Sequence, residues 1–324
     1  MCPSGFAGET TEELCIRWMQ MGAFYPFSRN HNVEDSNVPQ EPFSMGPRLA
    51  AASRASLGLR YSLLPYLNTL FWRAHVAGGM VAQPALFAFP SDAAAVVRPH
   101  AALPWSLGDL TPSACVLQAS VDTQFMLGPS LMVSPVLSAG ARSVPAYFPP
   151  AQWYNVSTGA ALGVCNVAGE CMDAAQRTLT LDAPLDVINV HVRGGSILPR
   201  QGRDSMTTAS ARQQPVDLLV SLAWSPAQAG DAASAYGGIE ASSGGGDPSM
   251  GRLAAGELYM DDGVTLNTGE AYTHVVYTAR ATHGDSFALT NQVGGAASGC
   301  RTRRGHHSLL VPTGGTQFSQ RLVP

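Results

Sequence analysis

Apolar residues recur at helical spacing only before about residue 80; from Val81 onward they fall into short β-branched or aromatic runs separated by Gly, Pro and Asp. One repeating architecture cannot satisfy both patterns, so the chain must join a helix-bearing start to an all-β remainder. Thr10 followed by Glu13 fits a capping box, and Leu14, Trp18 and Met21 then recur on one face, which predicts a helix over 11–22. Phe24 to Ser28 reads as a strand. Leu57, Tyr61, Leu64, Leu67, Phe71 and Ala74 predict a second helix, kinked at Pro65 and stopped by Gly78 and Gly79. Helix, short strand, loop and long helix make about one quarter of an α/β barrel, which cannot close alone.

The later runs LMVSPVL, VPAYFP, DVINVHV and GSILP suggest β-sandwich architecture. Residues 91–120, rich in Ala and Pro, read as a long surface loop, and 225–251, rich in Gly, Ser and Ala, as a flexible segment. GELYMDDGVTL predicts a hairpin with Asp262 and Gly263 as the turn pair. An EF-hand calcium loop is the competing reading of Asp261, Asp262 and Gly263, but its other ligand positions are missing.

With 324 residues the chain can form two or three domains, and its charged share of 13% marks it as folded rather than disordered. A net charge of −4 without a basic stripe argues against nucleic acid as a partner. No apolar run approaches ~18 residues, so no membrane span is expected, and MCPSGFAGET lacks the order of a signal peptide. The six cysteines show no CxxC pair and no His at zinc spacing, so neither a metal nor a cofactor is expected. Cys165 and Cys171 could close a short loop, and Asn155-Val156-Ser157 is a glycosylation sequon that matters only in the secretory pathway.

GFAGETTEELCIRWMQMGAFYPFSRNHN, LRYSLLPYLNTLFWRAHVAGG, APLDVINVHVRGGSILPRQG and GELYMDDGVTL resemble glycoside hydrolase family 31, in its lysosomal α-glucosidase, maltase-glucoamylase and sucrase-isomaltase branch. The resemblance implies the end of a (β/α)8 barrel over 1–80, a proximal β-sandwich over 81–213 and a distal one over 214–324. It makes Phe24 to Ser28 the eighth barrel strand and sets Arg29 to Asn32 at the catalytic end. His31 then matches a histidine that hydrogen-bonds sugar hydroxyls, and Phe6 an aromatic lining the same pocket. Arg29 either contacts the sugar or, the reading we favour, orients neighbouring carboxylates through bidentate bonds. Outside this motif a lone histidine is more often structural, and Trp18 reads as core packing. Arg193, Gly194 and Gly195 read as a tight turn.

A retaining glycosidase needs two carboxyl groups about 5 to 5.5 Å apart. The W-x-D-M-N-E type segment that carries the family's nucleophile does not occur in this sequence, nor does the segment carrying its general acid. Glu34, Asp35 and Glu41 fall in a loop beyond the eighth strand and read as solvated or helix-capping. The match also breaks at Cys2, Pro3 and Ser4, which suggests a truncated start. In the family a cysteine there pairs with the one matching Cys15, and Cys2 is displaced from it by two residues. The resemblance thus implies part of an exo-acting α-glucosidase taking maltose-like oligosaccharides in a lysosomal, vacuolar or secreted setting. The alternative is a non-catalytic β-sandwich protein or carbohydrate-binding fragment.

Overall fold

The computed structural model describes residues 10–33, 39–96, 121–166, 170–202, 205–223, 253–266, 272–281, 286–294, 307–310 and 317–322. Helix α1 (Glu12–Gly22) starts at Thr11, whose hydroxyl accepts from the Leu14 amide at 3.2 Å. The cap is therefore Thr11 and not Thr10. Glu13 does not fold back to complete a box, because its carboxylate takes the Gly140 amide and the Arg142 guanidinium instead.

The long second helix is two helices, α2 (Pro47–Ser62) and α3 (Leu64–Ala77), broken at Leu63. Pro65 sits in the first turn of α3, where its missing N–H leaves no intrahelical bond unmade, so it starts a helix instead of kinking one. The stripe that packs is also displaced from the expected one. Leu59, Leu63, Tyr66, Leu67 and Leu70 are buried, whereas Leu57, Tyr61 and Leu64 are half-buried and Phe71 is 48% exposed. Two polar anchors set this rotation: the Tyr66 hydroxyl donates to the Leu127 carbonyl at 2.9 Å, and the Tyr259 amide donates to Thr69 Oγ1 at 2.9 Å.

Beyond α3 come strand β1 (Ala82–Gln83) and the short helices α4 (Ala85–Ala88) and α5 (Ala93–Val96), so helix does not vanish at Val81. Then follow β2 (Phe125–Leu127), β3 (Leu131–Ser134), β4 (Ser143–Tyr147), β5 (Trp153–Asn155), β6 (Thr178–Asp182) and β7 (Asn189–Arg193). An antiparallel sheet runs β1-β2-β3-β7-β5, and β4 pairs with β6. Alternation along the strands explains the layers. Leu127, Leu131 and Val133 join the α2–α3 core, while Met126, Met132 and Trp153 on the opposite face pack with Ala146 of β4 and Phe148. The expected loop over 91–120 lies mostly outside the described residues.

His191, on β7, is 1% exposed, and its ring meets Phe148 edge-on at 5.0 Å. Burial pushes its pKa down to about 4. The unfolded chain, titrating at the ordinary value of about 6.5, therefore binds a proton that the folded chain refuses between those values. Stability should fall by roughly 3 kcal/mol as pH drops from 6.5 to 4, at about 1.4 kcal/mol per pH unit from this residue. Urea denaturation across that window should show this slope in the parent chain and lose it in His191→Leu. An equal slope in both would refute the assignment.

Strands β8 (Ser196–Arg200), β9 (Val216–Ser221), β10 (Leu253–Met260), β11 (Thr273–Ala281), β12 (Ser286–Gly294), β13 (His307–Leu310) and β14 (Gln317–Leu322) form one sheet in the order β13-β12-β11-β10-β8-β9-β14; helix α6 (Thr208–Arg212) links β8 to β9. The chain changes sheets at Gly194–Gly195. The Gly194 amide bonds to Gln152 of one sheet's loop and the Gly195 amide to Ser221 of the other sheet, and Gly195 holds a φ of +89° that disfavours side chains. Arg193, Gly194 and Gly195 are thus a tight turn, and also the crossing point. Among the described residues the expected distal sandwich is this single sheet. Leu198 and Leu219 face the α2–α3 core; Ile197, Leu218 and Val220 face the other way.

The GELYMDDGVTL hairpin differs as well. Met260 pairs with Thr273, so β10 and β11 are joined by a long connection rather than a two-residue turn. Asp261 and Asp262 spend their carboxylates on the amides of Gly263, Val264 and Thr265. Residues 225–251 lie outside the described residues. No described helix is long and apolar enough to cross a membrane.

Candidate functional site

Helix α1 is fixed by a buried guanidinium. Arg17, 8% exposed, donates through Nη1 to the carbonyls of Pro184 (3.1 Å) and Val187 (3.2 Å), and through Nη2 to those of Ala183 (2.8 Å) and Ala141 (3.1 Å). Gln20 adds a bond to the Leu185 carbonyl at 2.8 Å. The loop between β6 and β7 is thereby pinned to the helix that leads into the Arg29–Asn32 segment. Trp18, expected in the core, is only half-buried; the core residues beside it are Ile16 and Met19.

Phe24 to Ser28 is not a strand. The Phe24 and Tyr25 amides bond back to Met21 and Gly22, continuing the helix as turns. Backbone carbonyls in a strand need ladder partners. Here Arg60 of α2 supplies them, donating from Nη1 to Ala23 (2.7 Å) and Tyr25 (2.6 Å) and from Nη2 to Pro26 (3.2 Å). Burial lowers the Arg60 pKa from its ordinary value. Phe24 itself is fully buried, and Tyr25 packs on Phe125 with ring centroids 6.1 Å apart.

Beyond this clamp, Asn30 Nδ2 donates to the Gln40 carbonyl at 2.7 Å and closes the loop that carries His31. His31 is half-buried and Arg29 is exposed. Phe27, next to it, is 70% exposed. Phe6, Cys2, Glu34 and Asp35 lie outside the described residues; Glu41 is exposed. Cys15 is a free buried thiol 3.2 Å from Thr10 Oγ1. Cys165 and Cys171 do form a disulfide. Asn155, at the end of β5, uses Oδ1 to accept from the amides of Ser157 and Thr158. Among the described residues no group of three or more His, Cys, Asp and Glu side chains gathers around a common point.

Arg60 therefore fixes the entry to the loop and Arg17 the helix before it, and apolar periodicity points to neither. Arg60 lies inside LRYSLLPY, where apolar spacing hides a lone cation whose helix face meets the chain. Arg17 is similarly masked between Ile16 and Trp18.

Comparison with known proteins identifies the frame. The description "Glycosyl hydrolases family 31 TIM-barrel domain" matches residues 3–70, and "Glycosyl hydrolase family 31 C-terminal domain" matches 78–198. The chain belongs to glycosyl hydrolase family 31. It is the end of that family's TIM barrel followed by a β-rich C-terminal domain. The lysosomal alpha-glucosidase of Mus musculus is 41% identical over 286 residues, which is 85% of this chain and 25% of the relative. Intestinal sucrase-isomaltase of Homo sapiens is 36% identical over 276 residues, 85% of this chain and 12% of the relative. The Tris-bound crystal structure of a glucosidase II alpha subunit superposes with a TM-score of 0.64 at 27% identity, covering 88% of this chain and 24% of that one. The chain thus spans a quarter or less of each of these relatives.

Proposed function

We propose that this chain is the carboxy-terminal portion of an exo-acting α-glucosidase that releases glucose from maltose-like α-linked oligosaccharides with retention. His31 hydrogen-bonds a sugar hydroxyl, Phe6 gives the sugar an apolar face, and Arg29 orients carboxylates beside the pocket. The two catalytic carboxyl groups come from sequence outside these 324 residues. The observation that carries this reading is the loop itself: its entry is clamped by Arg60, its exit is tied by Asn30 to Gln40, and His31 stands between them. Pre-organised side chains on a braced loop are what recognition of a polar ring requires. The identity with lysosomal alpha-glucosidase supports the substrate class.

Positioning without a nucleophile forms no glycosyl-enzyme intermediate. The polypeptide alone should therefore not hydrolyse an aryl α-glucoside, as measured by release of the phenol. Turnover that is lost on replacing Glu34, Asp35 or Glu41 would overturn the assignment. For the isolated chain, the absent W-x-D-M-N-E segment favours the second reading, a fragment that holds carbohydrate without cleaving it.

A further inference from the structure

We propose that a second site, in the cleft at the carboxy-terminal end of α3, binds an uncharged glucose oligosaccharide; the choice of sugar rests on the α-glucosidase reading. The cleft encloses about 480 Å³, within the range of small-ligand sites, and its lining shares no residue with the Arg29–Asn32 loop. Arg73 comes from α3, Met80, Gln83, Phe87, Phe89 and Asp92 from the segment that follows, and Arg193 from the end of β7.

Its charged groups are braced from outside the cleft. Arg73 Nε lies 2.9 Å from Glu257 Oε1, and the other oxygen of Glu257 lies 2.8 Å from His274 Nε2. Asp92 accepts from the Tyr147 hydroxyl at 2.7 Å and from Arg177 at 3.2 Å. The Arg193 guanidinium lies 4.3 Å over the Phe89 ring. Arg73 and Asp92 each meet an opposite charge and Arg193 is held over an aromatic ring, so the charged groups that line the cleft are fixed in place. Beside them Phe87 and Met80 stay exposed, at 56% and 45%. Polar edges next to an open aromatic ring suit a ligand with many hydroxyls and an apolar face, which describes a pyranose chain.

The test is calorimetric titration of the whole 324-residue chain with maltotriose and with β-cyclodextrin. The cyclodextrin has no non-reducing end, so it cannot enter an exo-acting pocket and reports on the cleft separately. Both ligands should bind. Phe87→Ala should weaken both by about tenfold or more, Phe87→Trp should retain them, and His31→Ala should leave cyclodextrin binding unchanged. Failure of either ligand to bind, indifference to Phe87→Ala, or stronger binding of glucose 1-phosphate than of maltotriose would overturn the proposal. Failure of the α-glucosidase reading would appear elsewhere, as absence of glucose release once the missing barrel is supplied.

Discussion

Gly256→Ala should destabilise the protein by about 3 kcal/mol or more, seen as a large drop in the urea midpoint. Strand β10 runs beside β8 in parallel, with Ala255 opposite Ser196, and Gly256 faces the Ile197 backbone. A Cβ there would overlap the Ile197 carbonyl oxygen and lie 2.8 Å from Ile197 Cβ. Backbone cannot rotate away as a side-chain tip can, so the two strands must separate, and Leu198 and Ile197 would be drawn from cores on opposite faces. Gly163, exposed and with nothing packed within 4 Å of where a Cβ would sit, is the control: Gly163→Ala should change stability by less than about 0.5 kcal/mol. Equal midpoints for Gly256→Ala and the parent would show that β10 and β8 do not pack in this way.

Arg17→Met should cost about 3 kcal/mol, because it leaves the buried carbonyl of Ala183 and the partly buried ones of Ala141, Pro184 and Val187 without their donor. Methionine replaces much of the volume, so the loss reports hydrogen bonding more than a cavity. Arg17→Lys should recover little, since one ammonium cannot reach carbonyls spread around a planar fork. Hydrogen exchange would localise the effect to α1 and 183–187. A lysine variant as stable as the parent would contradict this account of how α1 is docked.

Much of the β-rich part is legible because alternation survives in short runs: LMVSPVL, VPAYFP, DVINVHV and GSILP each contain a strand. What periodicity does not convey is pairing. GSILP follows DVINVHV after only Arg193 and Gly194, which reads as a turn within one sheet, yet β7 and β8 belong to different sheets. Phe24 to Ser28 misleads for a related reason. Its aromatic residues are strand-like, but a strand is defined by its neighbours, and Arg60 answers the carbonyls instead. The helical stripe expected from apolar spacing falls one face off because Phe71 is apolar without being buried, while Tyr66 and Thr69 anchor the packed face through polar atoms. The role proposed for His31 rests on the extended motif around it; nothing in a lone histidine distinguishes a sugar ligand from a surface residue.

The most direct measurement replaces the corresponding carboxy-terminal part of the Mus musculus lysosomal alpha-glucosidase with this chain and follows glucose release from maltose. The chimera should be active and release the α-anomer first. His31→Ala should lower kcat/KM by about a hundredfold, and Arg60→Ala should also lower it, with Arg60→Lys restoring part of the loss. A folded chimera that cleaves maltose equally well with alanine at position 31 would contradict the claim that this loop holds the sugar.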